Sequence, residues 1–103
     1  MSVTDHRVAG TRLWVDQAGR TASVDGRALR LTRREFDLLA HLMGHPRRVF
    51  TRVQLLDAVW GHHDVGDART VDVHIARLRA KIGAEHRARL ATVRGLGYKF
   101  DPL

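Results

Sequence analysis

A chain of 103 residues, 44% hydrophobic and 28% charged, has room for one domain with one core, because domains usually hold about 100–150 residues. Its longest apolar runs, such as Leu38-Leu39-Ala40, span three residues where a membrane-crossing helix needs roughly 20; Met1 to Arg7 lack the apolar stretch of a secretion signal; and zero cysteines exclude disulfides, thiolate metal sites and a cysteine nucleophile. The net charge of +7 is uneven: residues 1–68 carry ten basic and eight acidic groups, residues 69–99 eight basic and two acidic.

Residues 1–12 read as a lead-in, and the folded unit is expected over 13–101. The first third of the chain has strand character. Leu13-Trp14-Val15 is a short apolar run closed by Asp16-Gln17-Ala18-Gly19. Ala22 and Val24 then alternate with Thr21, Ser23 and Asp25, the period-two pattern of a half-buried strand. Asp25-Gly26 suits a tight hairpin turn, since both residue types tolerate positive φ. Leu29 and Leu31 alternate about Arg30, so three or four short antiparallel strands are expected.

From Thr32 the period becomes helical. Thr32-Arg33-Arg34-Glu35 has the form of a capping box, and Phe36, Leu39, Ala40 and Met43 follow on one face, widened by Leu38 and Leu42. A helix apolar over so much of its circumference belongs at the centre of the core. Gly44 and Pro46 close it, and residues 47–50 read as a connector. A second capping box, Thr51-Arg52-Val53-Gln54, opens a second helix that would bury Leu55, Leu56, Val59 and Trp60 and stop at Gly61. Residues 61–69 are polar and twice broken by Gly, hence a loop. A third helix is expected from about Thr70 to Ile82, with Val71, Ile75, Leu78 and Ile82 as its core stripe. Two β-prone runs about Gly95-Leu96-Gly97 make a C-terminal hairpin over about 91–100. The fold class is α+β, with an N-terminal antiparallel β-sheet, a three-helix core and a hairpin.

Signatures of catalysis and of resident cofactors or metals are missing. The seven His are scattered, and adjacent His62-His63-Asp64 in a loop lack the three or four convergent ligands of a useful zinc site. Gly95-Leu96-Gly97 lacks the third Gly of a dinucleotide loop. The basic third of the chain instead suits a polyanion, either nucleic acid or an anionic membrane surface. The outer face of the third helix sets Arg69 and Arg77 beside Val73, Ala76 and Ala80. A DNA major groove rewards that mixture, offering thymine methyls to small apolar groups and guanine O6 and N7 to Arg. Asp72 at the edge could accept from a cytosine amino group or orient a neighbouring Arg. Thr70, His74 and Lys81 on the flank suit phosphates, which fix register without reading sequence. Arg94 at the hairpin tip suits a narrow minor groove, and Gly95 and Gly97 would let the tip backbone approach a phosphate. Helix and hairpin together describe a winged helix.

These residues also resemble a family. Arg69-Thr70-Val71-Asp72-Val73-His74-Ile75 with Arg77-Leu78-Arg79, followed by Thr92-Val93-Arg94-Gly95-Leu96-Gly97-Tyr98-Lys99-Phe100, is similar to the effector domain of OmpR/PhoB-type response regulators, as are Leu31 to Leu39 and Val59-Trp60-Gly61. The resemblance runs from about Leu13 to Phe100. It implies sequence-specific binding of double-stranded DNA in bacterial transcription regulation, as the output domain of a two-component-type regulator that is cytoplasmic and nucleoid-associated. It further implies that Val73 and Arg77 fall at base-contacting positions with Asp72 beside them, Thr70, His74 and Arg79 at or near backbone-contacting ones, and Arg94 at the wing arginine. The expected DNA contacts are then Asp72, Val73 and Arg77 on bases, Arg69, Thr70, His74, Arg79 and Lys81 on the backbone, and Arg94, Gly95 and Gly97 at the minor groove. The loop with His62, His63, Asp64, Val65 and Asp67 corresponds to one that contacts RNA polymerase in the family, and members bind tandem half-sites as head-to-tail dimers. Ala76 and Ala80 stand where many relatives carry Arg or Lys, and the family's receiver domain is not within these residues. A winged-helix module that binds protein and has lost DNA is the alternative.

Overall fold

The computed structural model describes residues 13–61 and 67–102. The expected lead-in, 1–12, lies outside them. Strands β1 (Leu13–Asp16), β2 (Thr21–Val24) and β3 (Arg27–Ala28) form an antiparallel sheet in that order. Leu13 pairs with Val24 and Val15 with Ala22, and all four are buried. Cross-strand apolar pairs on one face thus set the register, because a one-residue slip would turn them to solvent. Asp25 (φ 51) and Gly26 (φ 79) make the turn into β3 with two positive φ angles. β3 is shorter than Leu29 and Leu31 led us to expect. Those two side chains still pack against the core, but strand pairing on β2 covers only Arg27 and Ala28, followed by a single hydrogen bond from the Leu29 amide to the Ala22 carbonyl at 2.9 Å.

Helix α1 (Arg33–Met43) is the central element, with Phe36, Leu38, Leu39, Ala40, Leu42 and Met43 all buried. Its capping box is formed in both directions: the Thr32 hydroxyl accepts from the Glu35 amide at 3.2 Å, and Glu35 accepts from the Thr32 amide at 2.9 Å. Helix α2 (Arg52–Trp60) repeats the device with Thr51 and Gln54. Arg34 ties the two helices by donating to the carbonyl of Val59 at 2.7 Å. Helix α3 (Arg69–Ile82) begins one residue before the expected Thr70. A short 3-10 turn (Arg87–Arg89) leads into β5 (Leu90–Val93), which pairs with β6 (Gly97–Phe100).

The expected connector 47–50 needs correction. Phe50 and Thr51 form a strand, β4, which pairs antiparallel with β6 to give a second sheet in the order β4-β6-β5. This pairing explains Gly97. A Cβ built there would lie 1.9 Å from the Phe50 carbonyl oxygen, so β4 reaches β6 only because position 97 has no side chain. Tyr98 and Phe100, both buried, pin the hairpin to the core as their spacing suggests. No helix among the described residues is long and apolar enough to cross a membrane.

Candidate nucleic-acid interface

α3 divides cleanly into two faces. Val71, Ile75, Leu78 and Ile82 are buried, and the 3.6-residue period then turns Val73, Ala76, Arg77 and Ala80 outward. All four are exposed, Val73 to 46%. The hairpin β5–β6 lies beside this helix as a wing, and its tip turn presents Arg94 and Leu96, the latter 61% exposed. Gly95, with φ 79, makes that turn possible. Among the described residues neither Arg77 nor Arg94 has a hydrogen bond or ion pair. Both guanidinium groups are therefore available to a polyanion.

The flank of α3 that faces the wing is fastened by polar contacts. Arg79 donates from Nε (2.9 Å) and Nη2 (2.6 Å) to the Leu90 carbonyl, and from Nη2 to Thr92 Oγ1 at 2.8 Å. Its guanidinium carbon also stands 5.7 Å from the centre of the Tyr98 ring. Asp72 accepts the Tyr98 hydroxyl at 2.6 Å and pairs with Arg52 Nε at 3.1 Å. Burial, the hydrogen bond to Asp72 and the Asp72 charge together raise the Tyr98 pKa above its ordinary value, outweighing Arg52 and Arg79. Sequence reasoning passed over Arg52. One signal was present: a cation in the first turn of α2 opposes the helix dipole and so calls for an acidic partner. Arg52 and Val53 on α2 and Leu96 on the wing also border a cleft of about 320 Å³.

The other flank is only partly free. His74 Nδ1 donates to the Thr70 carbonyl at 2.8 Å, and its ring stands edge-on to Trp60 at 4.9 Å. A carbonyl can only accept, so Nδ1 carries a proton and Nε2 is the ring nitrogen left without a hydrogen-bond partner among the described residues. Lys81 is bound inward, to Glu35 Oε1 at 2.6 Å and to the Arg30 carbonyl at 2.8 Å. Burial alone would raise the pKa of Glu35, which is 1% exposed; hydrogen bonds from Lys81 and the Thr32 amide, with the Lys81 charge, outweigh it and hold the pKa below its ordinary value. Arg69 forms an exposed pair with Asp67, whose Oδ1 also accepts the Arg69 amide at 2.8 Å at the start of α3. That hydrogen bonding lowers the Asp67 pKa. His62, His63, Asp64 and Val65, expected in the same loop, lie outside the described residues.

The expected phosphate contacts of Arg79 and Lys81 thus meet side chains already engaged within the fold. Gly97, on the central strand β6, is likewise buried between β4 and β5 rather than open at the tip. One other cluster brings ligand-type atoms together. Asp25, Glu85 and His86 approach within 4.8 Å of one another. There Arg89 Nε donates to His86 Nδ1 at 3.4 Å, and His86 Nε2 sits 3.2 Å from both Asp25 carboxylate oxygens. Arginine has no acceptor, so the imidazole proton belongs on Nε2, directed at Asp25. That arrangement joins the β2–β3 turn to the segment after α3 and leaves no nitrogen lone pair for a cation.

Residues 26–100 match the family described as transcriptional regulatory protein, C terminal. The chain is similar to the transcriptional regulatory protein YclJ of Bacillus subtilis (59% identity over 69% of this chain) and to the sensory transduction protein RegX3 of Mycobacterium leprae (46% identity over 96% of this chain). It spans 31% and 51% of the length of these two relatives. Among solved structures it resembles the DNA-binding domain of Klebsiella pneumoniae RstA in complex with the RstA box, with a TM-score of 0.79 and 34% identity over 93% of this chain and 97% of that one. A buried-stripe helix, an attached wing and these likenesses together lead to one assignment: the chain belongs to the family of transcriptional regulatory protein C-terminal domains, the winged-helix effector domains of OmpR/PhoB type.

Proposed function

We propose that residues 13–101 act as the sequence-specific double-stranded DNA-binding output domain of a two-component-type transcription regulator working at the nucleoid in the cytoplasm. The observation that carries this reading is the solvent face of α3, where Val73, Ala76 and Ala80 accompany an exposed Arg77 side chain without a partner among the described residues, together with the equally unengaged Arg94 at the tip of the wing. α3 enters the major groove, with Arg77 on a guanine edge and Val73 against thymine methyls. Arg94 enters the adjacent minor groove, and Arg69, Thr70 and His74 line the backbone. Arg79 and Lys81 serve by holding the wing and α1 in place instead of meeting phosphates. Likeness to a domain solved with its DNA box supports DNA over a protein-only partner. Head-to-tail pairing on tandem half-sites and contact of the 62–67 loop with RNA polymerase complete the proposal.

Selection of bound duplexes from a random pool tests it, since it reports base preference, repeat spacing and orientation together. In the selected duplex Arg77→Ala costs about 1–3 kcal/mol and relaxes preference at one base pair. Arg94→Ala weakens binding with less change in specificity. Affinity falls steeply with salt, because neutralised phosphates release counterions. Equal binding of every duplex by Arg77→Ala and wild type would refute this placement of α3.

A further inference from the structure

Asp72 sits in the first turn of α3, where the sequence leaves two roles open: reading a base or orienting an arginine. Its carboxylate is shared by groups from two other elements, the Tyr98 hydroxyl of β6 at 2.6 Å and Arg52 Nε of α2 at 3.1 Å. The same oxygen, Oδ1, takes both. Tyr98 is itself buried, at 8% exposure, so its ring is held in place and the hydroxyl is kept at Asp72. A hydroxyl donating to a carboxylate is a strong, short hydrogen bond, and here it spans the joint between the two elements that meet DNA. Arg52 gains from the same contact, because Asp72 offsets the unfavourable placement of a cation in the first turn of α2.

We infer that Asp72 is a positioning residue: through Tyr98 it latches the wing to α3 and through Arg52 it holds the start of α2 against them, so that the spacing between the Arg77 and Arg94 reading groups is set before DNA arrives. This rests on the proposed placement of α3 and the wing on DNA. A latch and a base reader leave different traces. A base reader, when removed, relaxes preference at one base pair. Loss of a latch weakens binding by the same factor on every sequence and loosens the wing at Tyr98, leaving Arg79 to hold β5 to the helix.

The test uses this chain with a duplex selected from a random pool and all its single-base-pair variants. Hydrogen bonds to charged groups are among the stronger ones in a protein, so Tyr98→Phe, which keeps the buried ring, and Asp72→Ala each weaken binding about tenfold or more. The factor is uniform across the variants, and the two substitutions together lose no more than Asp72→Ala alone, which already removes the contacts to both Tyr98 and Arg52. Asp72→Asn, which still offers an oxygen to Tyr98 and Arg52, restores most of the binding. In the Tyr98→Phe background, the further loss from Arg94→Ala shrinks, because an unlatched wing no longer delivers its arginine. Tyr98 is the sole tyrosine, so tyrosinate absorbance reads the latch directly: its titration, raised in the native chain, moves down in Asp72→Ala. Relaxation at a single base pair in Asp72→Ala, or a Tyr98 titration that does not move, would overturn the inference. Arg77→Ala provides the control for the underlying reading: if it too leaves every preference intact, the placement of α3 fails, while the absorbance titration still judges the latch on its own.

Discussion

The two faces of α3 use similar residues for opposite ends. On the inner face Val71, Ile75, Leu78 and Ile82 are at most 2% exposed, whereas Val73, three residues from nothing but polar and small neighbours outward, is 46% exposed. Both faces carry β-branched or apolar groups, so hydrophobicity alone does not separate them; phase along the helix does. The inner face determines whether the domain exists, and the outer face what it binds. The cations divide in the same way. Lys81 and Arg79 are consumed in holding α3 to Glu35 and to β5, while the Arg77 side chain, two positions before Arg79, has no partner among the described residues.

The sharpest way to break this contrast is a matched pair of substitutions. Leu78→Ala removes a fully buried side chain and should cost about 2–5 kcal/mol of stability, read from chemical denaturation. Val73→Ala on the outer face should stay within about 0.5 kcal/mol in the same measurement, yet weaken binding to a selected duplex. Equal stability losses would mean that the faces are not distinct. The wing carries its own version of the comparison at position 97. Gly97→Ala places a methyl against the Phe50 carbonyl, and overpacking of this kind costs about 1–3 kcal/mol. Loss of protection in the amide exchange of β4 and β6 would accompany it.

A smaller effect comes from Glu35, through pH. Its folded pKa lies below the ordinary carboxyl value because Lys81 and the Thr32 amide favour the ionised form over the cost of burial. The stability it contributes is therefore present above the ordinary carboxyl pKa and is lost as pH falls through the lowered folded value. Glu35→Gln keeps an acceptor for the Thr32 amide but removes the charge, so it should be less stable than the native chain at neutral pH and nearly level with it in acid. Denaturation midpoints across that range measure the convergence, and a constant gap at every pH would show that Lys81 contributes nothing through charge.

Much of the architecture was legible because its causes are local. Thr32 with Glu35, and Thr51 with Gln54, stand three residues apart, and such a pair caps a helix wherever the helix is placed. Asp25-Gly26 encodes its own turn, and the core stripe of α3 follows from spacing alone. Strand β4 was not legible: Phe50 and Thr51 are strand only because Tyr98 and Gly97 arrive beside them from the other end of the chain. The same distance hid the fates of the charged residues. Arg79 and Lys81 resemble Arg77 and Arg94 in type, and Asp72 lies on the same helix; nothing adjacent in sequence announces that Leu90, Glu35 and Tyr98 will reach them.

What the sequence determined by itself was therefore the set of helices and turns, the face each helix buries, and the family, since these depend on residues within a few positions of one another. Only the tertiary structure decided which polar groups are spent in joining elements and which stay open to solvent. Hydrogen bonds and ion pairs act over a few ångströms in space regardless of separation along the chain, so a side chain's availability is settled only when distant elements have met.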